Sequence, residues 1–232
     1  MKVDLTGWPT TFEEARVVQE ALRQKVIVAD ALGDVRTVAG VDCGYEGDVA
    51  RAALVVLDFP SLTPIDYVVE RRPAPFPYVP GYLSFREIPA VLAAFEALRT
   101  KPDLLLCDGQ GIAHPRRLGI ASHIGVLLDL PSIGCAKSRL TGRNEPVPDT
   151  RGAHVPLTHR GEVIGAVLRT REGTQPLFIS PGHRVSVETS IRFVMACTTR
   201  YRLPETTRAA DKLASDGILP DVAPLLFHRR AS

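Results

Sequence analysis

At 232 residues, with 45% hydrophobic and 23% charged positions, the chain is long enough to bury a substantial core and too apolar for general disorder. A net charge of +2 excludes reading a nucleic-acid partner from bulk charge alone. No apolar run approaches the roughly 18 residues of a membrane span, and MKVDLTGWPT lacks a signal-like apolar core, so a cytoplasmic protein without a membrane partner is expected. Cys43, Cys107, Cys135 and Cys197 are widely spaced, which suits buried hydrophobes in a reducing compartment better than a zinc or redox pair. No linker, repeat or composition shift divides the chain. One domain over residues 1–232 is expected, with a loose tail from about residue 220 and a monomer favoured.

Thr11-Phe12-Glu13-Glu14 matches a capping box, in which hydroxyl and carboxylate satisfy each other's free amides. A helix follows to about Asp30, with Ala15, Val18, Leu22 and Val26 at near-helical spacing, and is expected to pack on a sheet. Val35 to Val41, Ala50 to Phe59 and Pro64 to Arg71 read as three closely joined strands, hence an antiparallel meander. Asp42 falls at or just past the end of the first. Arg72 to Gly81 crowds prolines around Phe76 and Tyr78. Such a stiff loop is either a packed connector or a platform that pushes an aromatic ring into a base stack. Ser84 opens a helix with the stripe Ile88, Val91, Leu92, Phe95 and Leu98. Glu87 in it either completes a capping box with Ser84 or faces the sheet edge, and spacing allows both.

Leu104 to Gly125, LLLCDGQGIAHPRRLGIASHIG, is the most informative stretch. A short apolar run stops at Asp108, and Gly109 and Gly111 follow where backbone must come close to something. An acid at a strand's C-terminal end, beside glycines and the cations Arg116 and Arg117, suits a metal and phosphate site. A helix ends over Ile120 to Leu130, and Ser132 to Ala136 is a buried strand leading to Lys137 and Arg139, cations placed to reach phosphate. Thr141 to Thr158 reads as loop. Glu162 to Arg169 and Pro176 to Ser180 read as strands, the second running to His183 before a helix capped by Ser186. A short helix is expected from Pro204.

This order of elements resembles the ribonuclease H-like fold, an α/β class with a central mixed sheet flanked by helices. The runs GVDCGYE (Gly40 to Glu46), PYVPGYLSFRE (Pro77 to Glu87), DGQGIAHPRRLGIASHIG (Asp108 to Gly125), IGCAKSRL (Ile133 to Leu140) and GHRVS (Gly182 to Ser186) are similar in type, order and spacing to the signature segments of endonuclease V. The resemblance implies a Mg²⁺-dependent endonuclease, with Mn²⁺ as substitute metal. It would nick DNA at the second phosphodiester bond 3′ to deoxyinosine and leave 3′-hydroxyl and 5′-phosphate ends. It implies metal-binding catalytic acids Asp42, Glu87 and Asp108, with His183 close to them and His114 and Lys137 as further active-site groups. Pro77, Tyr78, Val79 and Pro80 become a strand-separating wedge, and Gly81, Leu83, Gly109, Gly111, Gly119 and Ile120 a base pocket. Arg116, Arg117 and Arg139 are the candidate phosphate contacts. Gln110 stands where bacterial members often carry His, and it cannot carry a proton. Inosine-containing RNA is the rival substrate, because metal and fold suit either sugar, and a non-catalytic lesion reader is the rival from another class.

Overall fold

The computed structural model describes residues 5–74 and 76–217; the expected loose tail lies outside them. Strands β1 (Thr37–Glu46), β2 (Val49–Asp58) and β3 (Pro64–Pro73) form the expected antiparallel meander. Strands β4 (Leu104–Cys107) and β5 (Ser132–Ala136) continue the sheet in parallel from β1. Beyond β5, β8 (Leu177–His183), β7 (Glu162–Leu168) and β6 (His154–His159) add antiparallel, giving eight strands in the order β3-β2-β1-β4-β5-β8-β7-β6.

Helices cover both faces. On one, α2 (Leu83–Ala97) and α3 (Ile120–Leu128) bury Ile88, Val91 and Ile124 against Leu54, Val56 and Leu105. On the other, α4 (Val187–Ala196) and α5 (Glu205–Asp216) bury Val194 and Leu213 against Val55, Leu106 and Ile133. This is the ribonuclease H-like arrangement. Ser186 caps α4 as expected, accepting from the Thr189 amide at 3.1 Å. No described helix is long and apolar enough to cross a membrane.

Four expectations change. Asp42 lies within β1, not at its end, because the hairpin with β2 carries β1 on to Glu46. It nonetheless sits just past Val41, which pairs with Cys107 where β4 stops. The stretch before Thr158 contains β6, whose Pro156 reads as a breaker in sequence but is tolerated because β6 is an edge strand. The capping box of α1 (Phe12–Leu22) is present, yet the α-helix ends at Leu22 before a single 3₁₀ turn. Its Ala15 packs with Phe76 and Phe85 under the proline loop, not on the sheet.

The fourth change concerns α2, which starts one residue before Ser84, with Tyr82 as its N-cap. Ser84 is therefore buried inside the first turn, its hydroxyl 3.0 Å from His123 Nδ1, and no capping box with Glu87 forms. Pro89 sits inside this helix and deprives the Phe85 carbonyl of its usual i+4 donor. The Trp8 indole N–H donates to that carbonyl at 2.9 Å, so the N-terminal segment completes the helix.

Candidate active site

Gly40, Asp42 and Gly44 alternate onto the β1 face that meets α5. A Cβ on Gly40 would lie 1.8 Å from the Thr206 carbonyl, and one on Gly44 3.2 Å from that of Ala214. The missing side chains let the α5 backbone lie directly on the strand. Asp42, between them, is thereby brought to Asp211 of α5. The Asp108 amide donates to the Val41 carbonyl at 3.2 Å, which fixes the third acid beside the same strand. Carboxylate oxygens of Asp42, Asp108 and Asp211 lie within 4.8 Å of one another.

Glu87 approaches from the α2 side and does not join that three-acid cluster. Its Oε1 accepts from the Tyr45 hydroxyl at 2.8 Å, and the Arg86 guanidinium covers the Tyr45 ring at 4.6 Å. Burial and then the charge of Asp108 push the Asp42 carboxyl up to about 7. Burial, opposed by the Tyr45 hydrogen bond and helped by the charges of Asp42 and Asp108, pushes Glu87 up to about 8. Lys137, following β5, places Nζ 2.5 Å from Asp108 and 3.5 Å from Asp211. Burial works against its charge, but the hydrogen bond and charge of Asp108 prevail and raise its pKa. A cluster of crowded carboxylates that already draws in one cation, with oxygen donors only, fits a hard divalent metal.

Next to the acids opens a cavity of about 350 Å³. Of the expected base pocket, Gly81, Leu83, Gly109, Gly119 and Ile120 line it, together with Leu118 and Leu140. Gly111 does not. It lies beneath, donating to Ser180 Oγ at 2.8 Å, and a Cβ there would meet the Pro181 carbonyl at 2.0 Å, so its glycine serves strand packing. Gln110 is 8% exposed and donates to the Ser138 carbonyl at 2.9 Å. Since a carbonyl only accepts, the amide orientation is set, and Oε1 is left without a partner. At the rim Tyr78 is 69% exposed, on a loop whose preceding residue but one, Phe76, is 1% exposed.

The remaining expected residues fall in different places. His183 is not near the acids: β8 is antiparallel to β5, so His183 pairs with Ser132 at the strand end opposite to Lys137. There it is buried, accepting from the Ile27 amide at 3.3 Å and contacting Asp129 at 3.2 Å. His114 lines the cavity and is neutral near pH 7, because burial and then the charge of Arg116 lower its pKa to about 4. Arg116 is committed to the Gly81 carbonyl at 2.7 Å and lies 4.2 Å above the Tyr82 ring. Arg117 is paired with Glu162 at 2.9 Å and contacts His159 at 3.0 Å. Arg139 stays exposed beyond Lys137, donating to Asn144 at 3.2 Å. Sequence reasoning missed Asp211. The one signal was Gly40-x-Asp42-x-Gly44, which marks a face cleared for a crossing backbone but not which helix crosses.

Carboxylates gathered at the C-terminal edge of parallel strands, on a ribonuclease H-like sheet and beside a cavity with a projecting aromatic loop, define a nuclease of that fold. The family is settled by comparison. The model of the endonuclease V family matches residues 20–212, and the chain belongs to that family. It is 66% identical over 213 residues to endonuclease V of Roseiflexus castenholzii, covering 92% of this chain and 96% of that one. The crystal structure of the Streptomyces avermitilis endonuclease V superposes with a TM-score of 0.87 at 46% identity, covering 91% and 95%. That of Ciona intestinalis endonuclease V, in complex with a 24mer DNA containing an inosine followed by a ribo-adenosine, gives 0.75 at 30% identity, covering 88% and 96%. The protein is thus a nuclease, a hydrolase acting on phosphodiester bonds.

Proposed function

We propose that the protein recognises deoxyinosine in DNA and nicks that strand at the second phosphodiester bond on the 3′ side, as a divalent-metal-dependent repair nuclease. The observation that carries this reading is the shared boundary of two sites: Asp108 belongs to the acid cluster, and both it and the adjoining Gly109 line the cavity. A base held in the cavity is thereby tied by one loop to the place where its own strand is cut. The Ciona relative, solved with inosine-containing DNA, supports the choice of ligand.

Asp42, Asp108 and Asp211 would hold Mg²⁺, with Glu87 as a further ligand on the α2 side and Mn²⁺ as substitute. When bound, the metal supplies a nucleophilic hydroxide near neutral pH and offsets charge on the leaving 3′ oxygen. Tyr45 holds the Glu87 carboxylate in one orientation through its 2.8 Å hydrogen bond. Lys137 contributes positive charge beside Asp108, and Arg139 on the rim contacts backbone phosphate. Tyr78, carried by Pro77, Val79 and Pro80, takes the place of the departed base in the stack. Unstacking costs a few kcal/mol, and less at a weakened pair such as one with hypoxanthine. Gly109 and Gly119 form part of the cavity wall against the flipped base, and Gln110 Oε1 is an acceptor of the kind its ring N–H requires. Residues 1–232 act as one domain and a monomer in the cytoplasm.

The test is nicking of an inosine-containing duplex with Mg²⁺ and with EDTA, beside a matched adenine duplex. The expected result is a single metal-dependent cut in the inosine strand only. Cleavage that ignores EDTA, or no cleavage of inosine DNA, overturns the reading. A parallel inosine RNA substrate decides between the sugars, and preferential cleavage of RNA would replace the DNA assignment with the ribonuclease one.

A further inference from the structure

The loop bearing Tyr78 is held at both ends, and its C-terminal end is held in an unusual way. The Gly81 carbonyl receives three side-chain donors: Gln19 Nε2 at 2.9 Å, Arg116 at 2.7 Å and His114 Nε2 at 3.1 Å. His114 Nδ1 accepts from the Arg116 amide at 3.2 Å, so the ring proton sits on Nε2 and donates to the carbonyl. Gln19 and Arg116 are also joined directly, Arg116 Nε donating to Gln19 Oε1. The Arg116 guanidinium in turn covers the Tyr82 ring. Gly81 has φ +85°, a conformation only glycine adopts without strain, so the carbonyl is turned to where the three donors converge. At the other end Phe76 is buried among Phe12, Tyr82 and Phe85, and its carbonyl accepts from Arg86 at 2.8 Å.

We infer that Gln19, acting with Arg116 and His114 on the Gly81 carbonyl, is a positioning residue that clamps the wedge loop at the mouth of the cavity. This rests on the reading of Tyr78 as a strand-separating wedge. Helix α1 is then a buttress: its outer end packs Phe12 on Phe76 and Tyr82, and Gln19, fully buried two turns later, reaches the clamp. The buttress precedes most of the residues that the family model matches, which begin at 20. A wedge must resist the duplex closing against it, and a loop pinned at both ends loses little further conformational freedom when it engages. The clamp residues also belong to the loop that lines the pocket, through His114 and Leu118. Wedge and pocket are therefore set at one relative position before DNA arrives.

The clamp matters only where strands must be parted. Gln19→Ala should lower kcat/KM on an inosine duplex by about tenfold, the effect of one lost buried hydrogen-bond group, and leave single-stranded inosine DNA within about twofold. Gln19→Glu keeps the acceptor for Arg116 but sets a carboxylate against the carbonyl, and should show the same duplex-selective loss. Equal losses on both substrates, or full duplex activity in Gln19→Glu, overturn the assignment. Hydrogen exchange of the free protein supplies an arm independent of substrate. The amides of Tyr78, Val79, Gly81 and Tyr82 should exchange faster in both variants while those of β1 and β4 do not, and unchanged exchange at these four overturns the clamp. A wild-type protein inactive on both inosine substrates would instead overturn the functional reading and leave exchange to decide the clamp.

Discussion

The metal-free protein should lose stability as pH rises through neutrality, because its acids are crowded together. Asp42 has a carboxyl raised from 3.8 to about 7 by burial and the charge of Asp108. Between those values the folded state keeps a proton that the unfolded chain has given up, so the stabilisation is fully present below pH ~4 and lost as pH rises through ~7. About three units at 1.36 kcal/mol each is on the order of 4 kcal/mol as an upper figure. For a chain of this size that is roughly 8–16 °C in Tm. Glu87, raised to about 8, acts in the same direction and extends the loss above pH 7. The assay is thermal unfolding in EDTA from pH 4 to 8.5, wild type minus Asp42→Asn, which removes the titration and cancels groups elsewhere. Wild type should fall relative to the variant across this range, and a divalent metal should raise the wild-type Tm more at pH 8 than at pH 5.5, since deprotonated carboxylates bind it. A difference curve flat with pH, or an equal metal effect at both pH values, would refute the crowding argument.

Other measurements probe separate parts of the molecule. Asp211→Asn should lower kcat on an inosine duplex by about 100-fold with lesion binding retained, since it removes one carboxylate of the cluster; near-normal turnover would remove Asp211 from the site. Tyr45→Phe deletes the hydroxyl that orients Glu87 and should lower kcat/KM about tenfold, with the loss partly relieved by higher metal concentration. Trp8→Phe keeps an aromatic ring but leaves the Phe85 carbonyl without a donor beneath Pro89. It should cost about 1–3 kcal/mol in denaturant unfolding, and no loss would mean that the carbonyl is satisfied otherwise.

Much of the fold is legible in the chain because local patterns and tertiary demands coincide there. The apolar run Leu104–Cys107 and the buried Ser132–Ala136 have few alternatives to a central strand, and each ends at a chemically distinct residue, Asp108 and Lys137. Where patterns mislead, a distant partner decides. Ser84 and Glu87 have capping-box spacing, but Tyr45 from β1 and His123 from α3 claim their side chains. Pro156 breaks a strand pattern except at a sheet edge, and edge status is a property of strand order. His183 sits at a strand-to-helix junction that looks like a site, yet the antiparallel addition of β8 sends it to the other end of the sheet.

By itself the sequence determined most of the elements, the family resemblance, the acids Asp42 and Asp108, the proline-stiffened Tyr78 loop and most of the glycine-lined cavity, because each is carried by a short run of residues whose chemistry is local. Only the tertiary structure decided that Asp211 completes the acid cluster, that Arg116 serves the Gly81 carbonyl and that Gln19 reaches it from α1. Those three facts depend on groups meeting across 35 or more positions of sequence separation. The meeting of α5 with β1 is set by the absence of side chains at Gly40 and Gly44, a geometric permission that names no partner until the sheet and its helices are assembled.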